Sequence, residues 1–436
     1  MLLVLYGCVV GWNGYGIPYL NKEDSHIHLN LLELTFVPPL FELSRFSSAI
    51  PAGILGDVIG RKGVISLCSV LHLFAWSLKV FTTSKYPLYF ARVMCGLAVG
   101  TGNAVLFIYA GEIAPANIRG MILTTMFNCY YFGILFQFFL AKFMDYMTVC
   151  WITLGVSILS FILSFFIKES PSFLLKCEKV EKAKAVHKWL HKSKPADDLN
   201  KEFEALKEYV NNQKKNSASM FSGFSDAVNR KSVMLVFSIN FLTQLTGLPA
   251  VIVFVQSIFK NVSILKPVDC AIIFAGAQLL AGCFSSLLVD KLGRRMMYQV
   301  TGTLCMLSHI FTAVLYLLYP SKDEDVPPYV SWMLIMSVSS YACVYAAGLG
   351  PLTVIVRGEL LPQAVKGIGS SLAVVSAGIS CFLLMFLFHQ MTFFGMAYNF
   401  IFFAVNCVGL LILVCFKLPE TKCRTLAEIQ DIFRRS

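Results

Sequence analysis

The residues of this chain that could do chemistry are a few acids, arginines and lysines that occur twice in the same order. Asp57-Val58-Ile59-Gly60-Arg61-Lys62 recurs as Asp290-Lys291-Leu292-Gly293-Arg294-Arg295. Glu112-Ile113-Ala114-Pro115, followed by Arg119-Gly120, recurs as Glu359-Leu360-Leu361-Pro362, followed by Lys366-Gly367. Glu169-Ser170-Pro171 is answered by Pro419-Glu420-Thr421. A glutamate seven residues before a base, with a proline between, puts both groups at one helix end and across a short turn. Their chemistry is the ion pair, worth a few kcal/mol at most, which suits contacts that open and close. Asp57, Arg61, Glu112, Arg119, Asp290, Arg294, Glu359 and Lys366 therefore read as an inner gate able to bridge two halves. Static topology anchors are the alternative reading.

Catalytic chemistry has no comparable pattern. The 14 cysteines are spread singly, with no C-x-x-C pair and no metal-ligand spacing. His26 and His28 share a loop, and two imidazoles alone suit a solvated loop better than a metal. Gly96-x-x-x-Gly100-x-Gly102 lacks the Lys-Ser/Thr of a phosphate loop, so close helix packing explains it. No nucleophile–base pair emerges. The expectation is a chain that is no enzyme, with neither cofactor nor metal.

The elements that hold these residues are set by composition. Of 436 residues 57% are apolar and 14% charged, with a mean hydropathy of +0.69; soluble domains carry about 25% charged residues. A helix crossing the bilayer needs about 20 apolar residues. Twelve such spans can be drawn, at 1–20, 34–56, 63–82, 87–111, 121–142, 147–167, 232–259, 268–289, 296–318, 329–356, 367–390 and 393–416. The first has no charge before Lys22, unlike the basic start of a signal peptide, and it counts as a helix because removing it would spoil the even number of spans. The repeat makes the architecture two parallel six-helix halves, as in alternating-access transporters. The expected units are residues 1–167, a linker at 168–231, a second half at 232–418 and a tail at 419–436. Apolar spacing around Val180–Val186 and Phe203–Val210 predicts short amphipathic helices on a membrane face in the linker.

The net charge of +11 invites nucleic acid, but its distribution argues otherwise. With the amino terminus in the cytosol, the inner segments hold 26 Lys or Arg and the outer ones seven, Lys79 among them. That asymmetry predicts both termini inside and lipid, not nucleic acid, as the partner. Glu42 and Arg45, about one turn apart in span two, read as an ion pair that lowers the cost of burial. Val37-Pro38-Pro39 would kink that helix or mark its outer end.

Gly53 to Lys62, Arg92-x-x-x-Gly96, Glu112 to Gly120, Glu169-Ser170-Pro171, Asp290 to Arg295, Gly350-Pro351 with Glu359, and Pro419-Glu420-Thr421-Lys422-x-Arg424-Thr425 together resemble the sugar porter family of the major facilitator superfamily. Gly348-x-Gly350-Pro351 and Leu418-Pro419-Glu420-Thr421-Lys422 are similar to its insect facilitated trehalose and hexose transporters. The resemblance implies a major facilitator fold, a sugar bound near mid-membrane in a central cavity, and rocking of one half on the other. It also implies that 168–231 is the family's intracellular helical domain.

At the sugar site this sequence departs from the family. The span-seven pattern Gln-Gln-x-Ser-Gly-x-Asn is here Thr243-Gln244-Leu245-Thr246-Gly247-Leu248-Pro249. The family's span-five Gln falls on Phe127, beside Asn128, its span-ten Trp on Val354, and its span-eleven Asn-Trp pair on Ala377 and Gly378. A site built for hydroxyls cannot exchange amides for apolar groups and keep its preference. Gln244, Thr243, Thr246 and Asn128 are the expected substrate ligands, with helix–helix hydrogen bonding as their other use. The acid of proton-driven members falls on Asn13, and an amide exchanges no proton near neutral pH. The expectation is facilitated, uniport transport of a sugar such as trehalose or a hexose across the plasma membrane. Two alternatives arise from the depleted site: a transport-impaired nutrient sensor, or a transporter of a less polar solute.

Overall fold

A backbone immersed in hydrocarbon has to satisfy its own polar groups, which leaves helices and closed barrels. The computed structural model describes residues 1–22, 25–114, 119–190, 196–216, 226–319, 326–362 and 365–420, with no strand among them. In order come α1 (Leu2–Leu20), the short α2 (Leu31–Thr35), α3 (Val37–Val58), α4 (Gly60–Phe81), α5 (Lys85–Ile113), α6 (Arg119–Phe143) and α7 (Tyr146–Phe166). Three polar helices come next, α8 (Pro171–Lys176), α9 (Val180–Leu190) and α10 (Ala196–Asn216). The second set is α11 (Ala227–Leu245), α12 (Leu248–Val253), α13 (Val255–Ile258), α14 (Pro267–Leu292), α15 (Arg294–Leu318), α16 (Pro328–Val344), α17 (Gly350–Leu360), α18 (Lys366–Phe394) and α19 (Met396–Lys417).

Among the described residues, nine helical stretches are long and apolar enough to cross a membrane. Helices α1, α3 and α6, of 19, 22 and 25 residues, take the remaining three expected positions. Large apolar side chains such as Phe81, Phe166, Phe311, Phe393 and Phe416 are exposed on the outside of the bundle. A soluble protein would not tolerate that belt, whereas lipid requires it.

Packing repeats between the halves. Helix α3 lies against α5, α1 against α6, and α4 against α5 and α7. The counterparts are α14 against α16, α11 against α18, and α15 against α16 and α19. The seams between halves are α6 with α14 and α3 with α18, a pair that exchanges under the same two-fold operation. The Gly96-x-x-x-Gly100 stretch is the α3–α5 seam. A Cβ on Gly96 would lie 2.4 Å from the Phe41 carbonyl oxygen, and one on Gly100 only 2.0 Å from that of Arg45.

Local chemistry sets the helix ends. Pro38 and Pro39 sit in the first turn of α3 and so mark its amino-terminal end instead of kinking it. Asp145 caps α7, its carboxylate accepting from the Thr148 backbone N–H at 3.1 Å and hydroxyl at 2.6 Å. Helices α8–α10 bury their apolar faces on one another, around Leu174, Leu175, Ala183, Phe203 and Val210.

Two spans are broken. Between α11 and α12 the chain turns at Gly247, whose φ of +113° few side chains tolerate. The Thr246 carbonyl freed there accepts from the Tyr341 hydroxyl at 3.0 Å and lies 2.9 Å from His309 Nε2. Between α16 and α17, Tyr345–Leu349 winds as a π-helix, a wide turn often found at functional sites. Lys79, expected among the outer charges, is in fact fully buried, its ammonium 3.8 Å from the Trp76 ring centroid and 4.4 Å from that of Trp12.

The α3–α5 seam makes a direct prediction. Gly100→Leu should abolish monodisperse protein in detergent size-exclusion chromatography, since overpacking a tight core costs about 1–3 kcal/mol or more. Gly111→Ala, where an added Cβ meets nothing within 4 Å, should elute as the parent does.

Candidate functional site

On the basic face, each repeated motif ties together helices of its own half. Gly60 and Gly293 both have positive φ, +84° and +83°. In the first half the Glu169 carboxylate accepts from the Arg61 backbone N–H at 3.0 Å and from that of Lys62 at 3.3 Å. In the second, Glu420 accepts from the N–H groups of Arg294 and Arg295, each at 3.0 Å. A carboxylate thus caps the amino terminus of α4 and of α15, where the helix dipole favours negative charge. A Cβ on Gly60 would come within 2.3 Å of Glu169; only glycine leaves room for the cap.

The arginine side chains reach the next helix. Arg61 donates to Glu112 through Nη2 at 3.1 Å and Nε at 3.2 Å, and to Asp57 at 2.9 Å, while Lys176 reaches Asp57 at 3.2 Å. Arg294 pairs with Glu359 at 2.9 Å. Lys62 donates to the Phe165 carbonyl at 2.8 Å, and Arg295 matches it by donating to the Cys415 carbonyl. These pairs close within a half and do not bridge the two. The side chains of Arg119, Asp290 and Lys366 lie outside those described. Among the described residues, an ion pair that does cross between halves joins Lys142 of α6 to Asp269 of α14 at 2.7 Å, on the opposite face.

Between the halves lies a cavity of about 180 Å³. Helices α1, α3, α5 and α6 form one wall, and α11, α12, the π segment, α17 and α18 the other. Of the four expected ligands, Gln244 lines it. Thr243 and Thr246 are fully buried elsewhere, because on a helix they point roughly 100° and 200° away from Gln244. The Thr246 hydroxyl donates to the Thr243 carbonyl at 2.7 Å. Asn128 faces the α6–α14 seam, its amide 3.6 Å from Cys283 Sγ and its oxygen close against Gly282.

Other polar groups take their place. Asn240, one turn before Gln244, shares its face, and Asn103, Tyr6, Thr353 and Arg357 also line the cavity. The i, i+4 spacing of Asn240 and Gln244 was open to view in the sequence; the inward aim of Asn103 and Arg357 needed the packing. Glu42 and Arg45 form the expected buried pair, at 2.6 and 2.7 Å. Asn13 is buried and accepts from Arg92 Nη2 at 2.6 Å. Arg92 itself is fully buried, its guanidinium carbon 5.0 Å from the ring centroids of Trp12 and Phe41.

Two parallel helical halves around a central cavity lined from both define a membrane transporter of the major facilitator type. The Sugar (and other) transporter family model matches residues 11–433, and the chain belongs to that family. It is 25% identical to the mouse Solute carrier family 2, facilitated glucose transporter member 6, over 98% of this chain and 88% of the relative. It is 27% identical to the Facilitated trehalose transporter Tret1 of Polypedilum vanderplanki, over 97% of this chain and 84% of the relative. The fold matches the inward open xylose transporter XylE from E. coli with a TM-score of 0.79 at 17% identity, covering 99% and 98% of the two chains. XylE bound to 6-bromo-6-deoxy-D-glucose gives a TM-score of 0.77 at 19% identity, with the same coverage.

Gln244→Ala should reduce uptake rate or affinity for the transported solute several-fold in a radiolabel assay, whereas Thr243→Ala should change neither. Glu112→Gln should abolish uptake while surface biotinylation stays at the parental level, because it leaves the Arg61 charge half-matched while keeping the size and polarity of the side chain. Full uptake by that variant would leave the cluster no role in transport.

Proposed function

We propose that the chain is a facilitative transporter that carries a sugar-class solute through the central cavity by alternating access. The observation that carries this reading is a cavity lined from both halves, with the Lys142–Asp269 pair joining those halves on one face. The tightest charge clusters, by contrast, lie within each half on the other face. Rocking the halves about such a cavity opens it to each side in turn, without breaking the caps that hold each half together. Hexoses and trehalose are the first solutes to test, given the names of the relatives.

Uniport is supported by the state of the acids. Proton-driven relatives carry an acid where this chain has Asn13, and the Asn13 oxygen is already engaged by Arg92. Glu42, the acid found in the cavity wall among the described residues, is clamped by Arg45. The basic face, with Arg61, Lys62, Arg294 and Arg295, is then the cytosolic one, and both termini and residues 168–231 lie on that side of the plasma membrane. The charged residues of the repeat serve the gate by keeping each half rigid as it moves, through the pairs of Arg61 with Asp57 and Glu112 and of Arg294 with Glu359. Residues 1–167 and 232–418 are the two moving bodies.

The test is uptake of labelled glucose and trehalose into proteoliposomes holding the full chain. Internal label should rise to the external concentration and stop there, with no response to an imposed pH gradient. Accumulation above the external concentration that a protonophore collapses would overturn the uniport reading.

A further inference from the structure

The charge of the cavity wall bears on the solute itself. Among the described residues, three charged side chains line the cavity: Glu42, Arg45 and Arg357. Glu42 and Arg45 neutralise one another, the guanidinium donating through both Nε and Nη2 to one carboxylate oxygen. Arg357 has no such partner. Among the described residues no carboxylate lies within ion-pair distance of it, and none of its donors has an acceptor, while Glu359 two residues on is taken by Arg294. The cavity therefore carries one net positive charge, on a half-buried guanidinium with five unused donors.

The neutral groups beside it are partly engaged within the protein. The Asn240 amide donates to the Val236 carbonyl at 2.9 Å, the Thr353 hydroxyl to the Gly350 carbonyl at 2.6 Å, and the Gln244 oxygen lies 3.6 Å from Cys381 Sγ. The remaining wall is rich in apolar side chains, Phe107, Phe127, Val354, Val374, Ala377 and Met385 among them. Neutral partners for hydroxyls remain in Gln244, Asn240 and Asn103, but none of them offers a charge. An uncompensated intramembrane arginine facing a substrate path is the strongest donor set available, and its planar fork fits two oxygens of one anion.

We infer that the solute carries a negative charge: a sugar acid or sugar phosphate, whose carboxylate or phosphate is held bidentately by Arg357 while Gln244 and Asn240 meet its hydroxyls. The inference rests on the reading of this cavity as the transport path and narrows its cargo. It also makes transport electrogenic, because the cargo's charge crosses the membrane with no co-ion.

The experiment uses the full chain in proteoliposomes and four labelled solutes: D-glucuronate, D-glucose 6-phosphate, D-glucose and D-glucosamine. At least one anion should enter with a KM about tenfold or more below that of glucose, glucosamine should be the poorest, and an interior-positive potential should speed anion entry. Uptake of glucuronate alone assigns a carboxylate, and of glucose 6-phosphate alone a phosphate. Arg357→Gln should lower the anion-to-glucose selectivity at least about tenfold, the size of one charge-assisted hydrogen bond, and Arg357→Lys should retain part of it. Should Arg357→Gln fail to elute as folded protein, the selectivity of the parent chain and of Arg357→Lys still decides. Glucose entering as well as either anion, or both variants changing all solutes equally, would overturn the inference and leave the transport reading intact. No flux of any of the four through monodisperse protein would overturn both.

Discussion

Everything on the basic face depends on a carboxylate seated on the exposed amino terminus of a helix. Glu169 does this for α4 and Glu420 for α15, each from the segment just after the last span of its half. The cap needs a backbone turn that only glycine makes easily, hence Gly60 and Gly293. Once the turn is made, the next residue projects toward the neighbouring glutamate, Glu112 or Glu359, and the one after it reaches back to the last carbonyls of α7 or α19. One six-residue motif thereby joins the second, third, fourth and sixth spans of a half. Its position, inside a half and not between halves, means that the halves can move without any of these bonds being broken.

Much of this was legible because charge is scarce in an apolar chain. An acid beside a lipid-facing helix is expensive unless paired, so the repeated Asp, Glu and Arg had to find one another, and their order was enough to divide the chain in two. Direction could not be read. The sequence has the same letters whether Arg61 and Glu112 meet inside a half or across the cavity, and only the packing of α3, α4 and α5 separates the two. The same holds at the candidate site. Thr243, Gln244 and Thr246 are neighbours in a motif, but the helix turns two of them into protein, and the break at Gly247 re-aims α12. Asn128 was one residue away from the wall formed by Phe127, and one residue on a helix is about 100°.

Lys79 and Arg92 illustrate a second limit. Both are fully buried in the first half, and no ion pair with a carboxylate is formed by either among the described residues. Aromatic faces stand in for acids: Trp12 receives both cations, with Trp76 and Phe41 on their far sides. Cation–π contacts are worth up to about 2 kcal/mol or more when desolvated. Charge counting by loop cannot find such an arrangement, since it treats a lysine near a span end as solvated. Asn13, which lines the cavity, is thus held by a cation that is itself locked in aromatics.

The balance between the two ends of the bundle then decides how readily it can move. The Lys142–Asp269 link between halves is substantially exposed, with side-chain exposures of 42% and 22%, and pairs of that kind contribute about 0–1 kcal/mol. A contribution that small shifts a two-state equilibrium by less than about tenfold, so it cannot lock one state. The buried pairs are stronger, but they lie within the halves and are present in any rigid-body arrangement of them. The conformational equilibrium is therefore left to the apolar seams α6–α14 and α3–α18 and to whatever occupies the cavity. A solute that bonds to both walls at once contributes to the very interface that sets the equilibrium. That is the condition under which binding and movement are coupled.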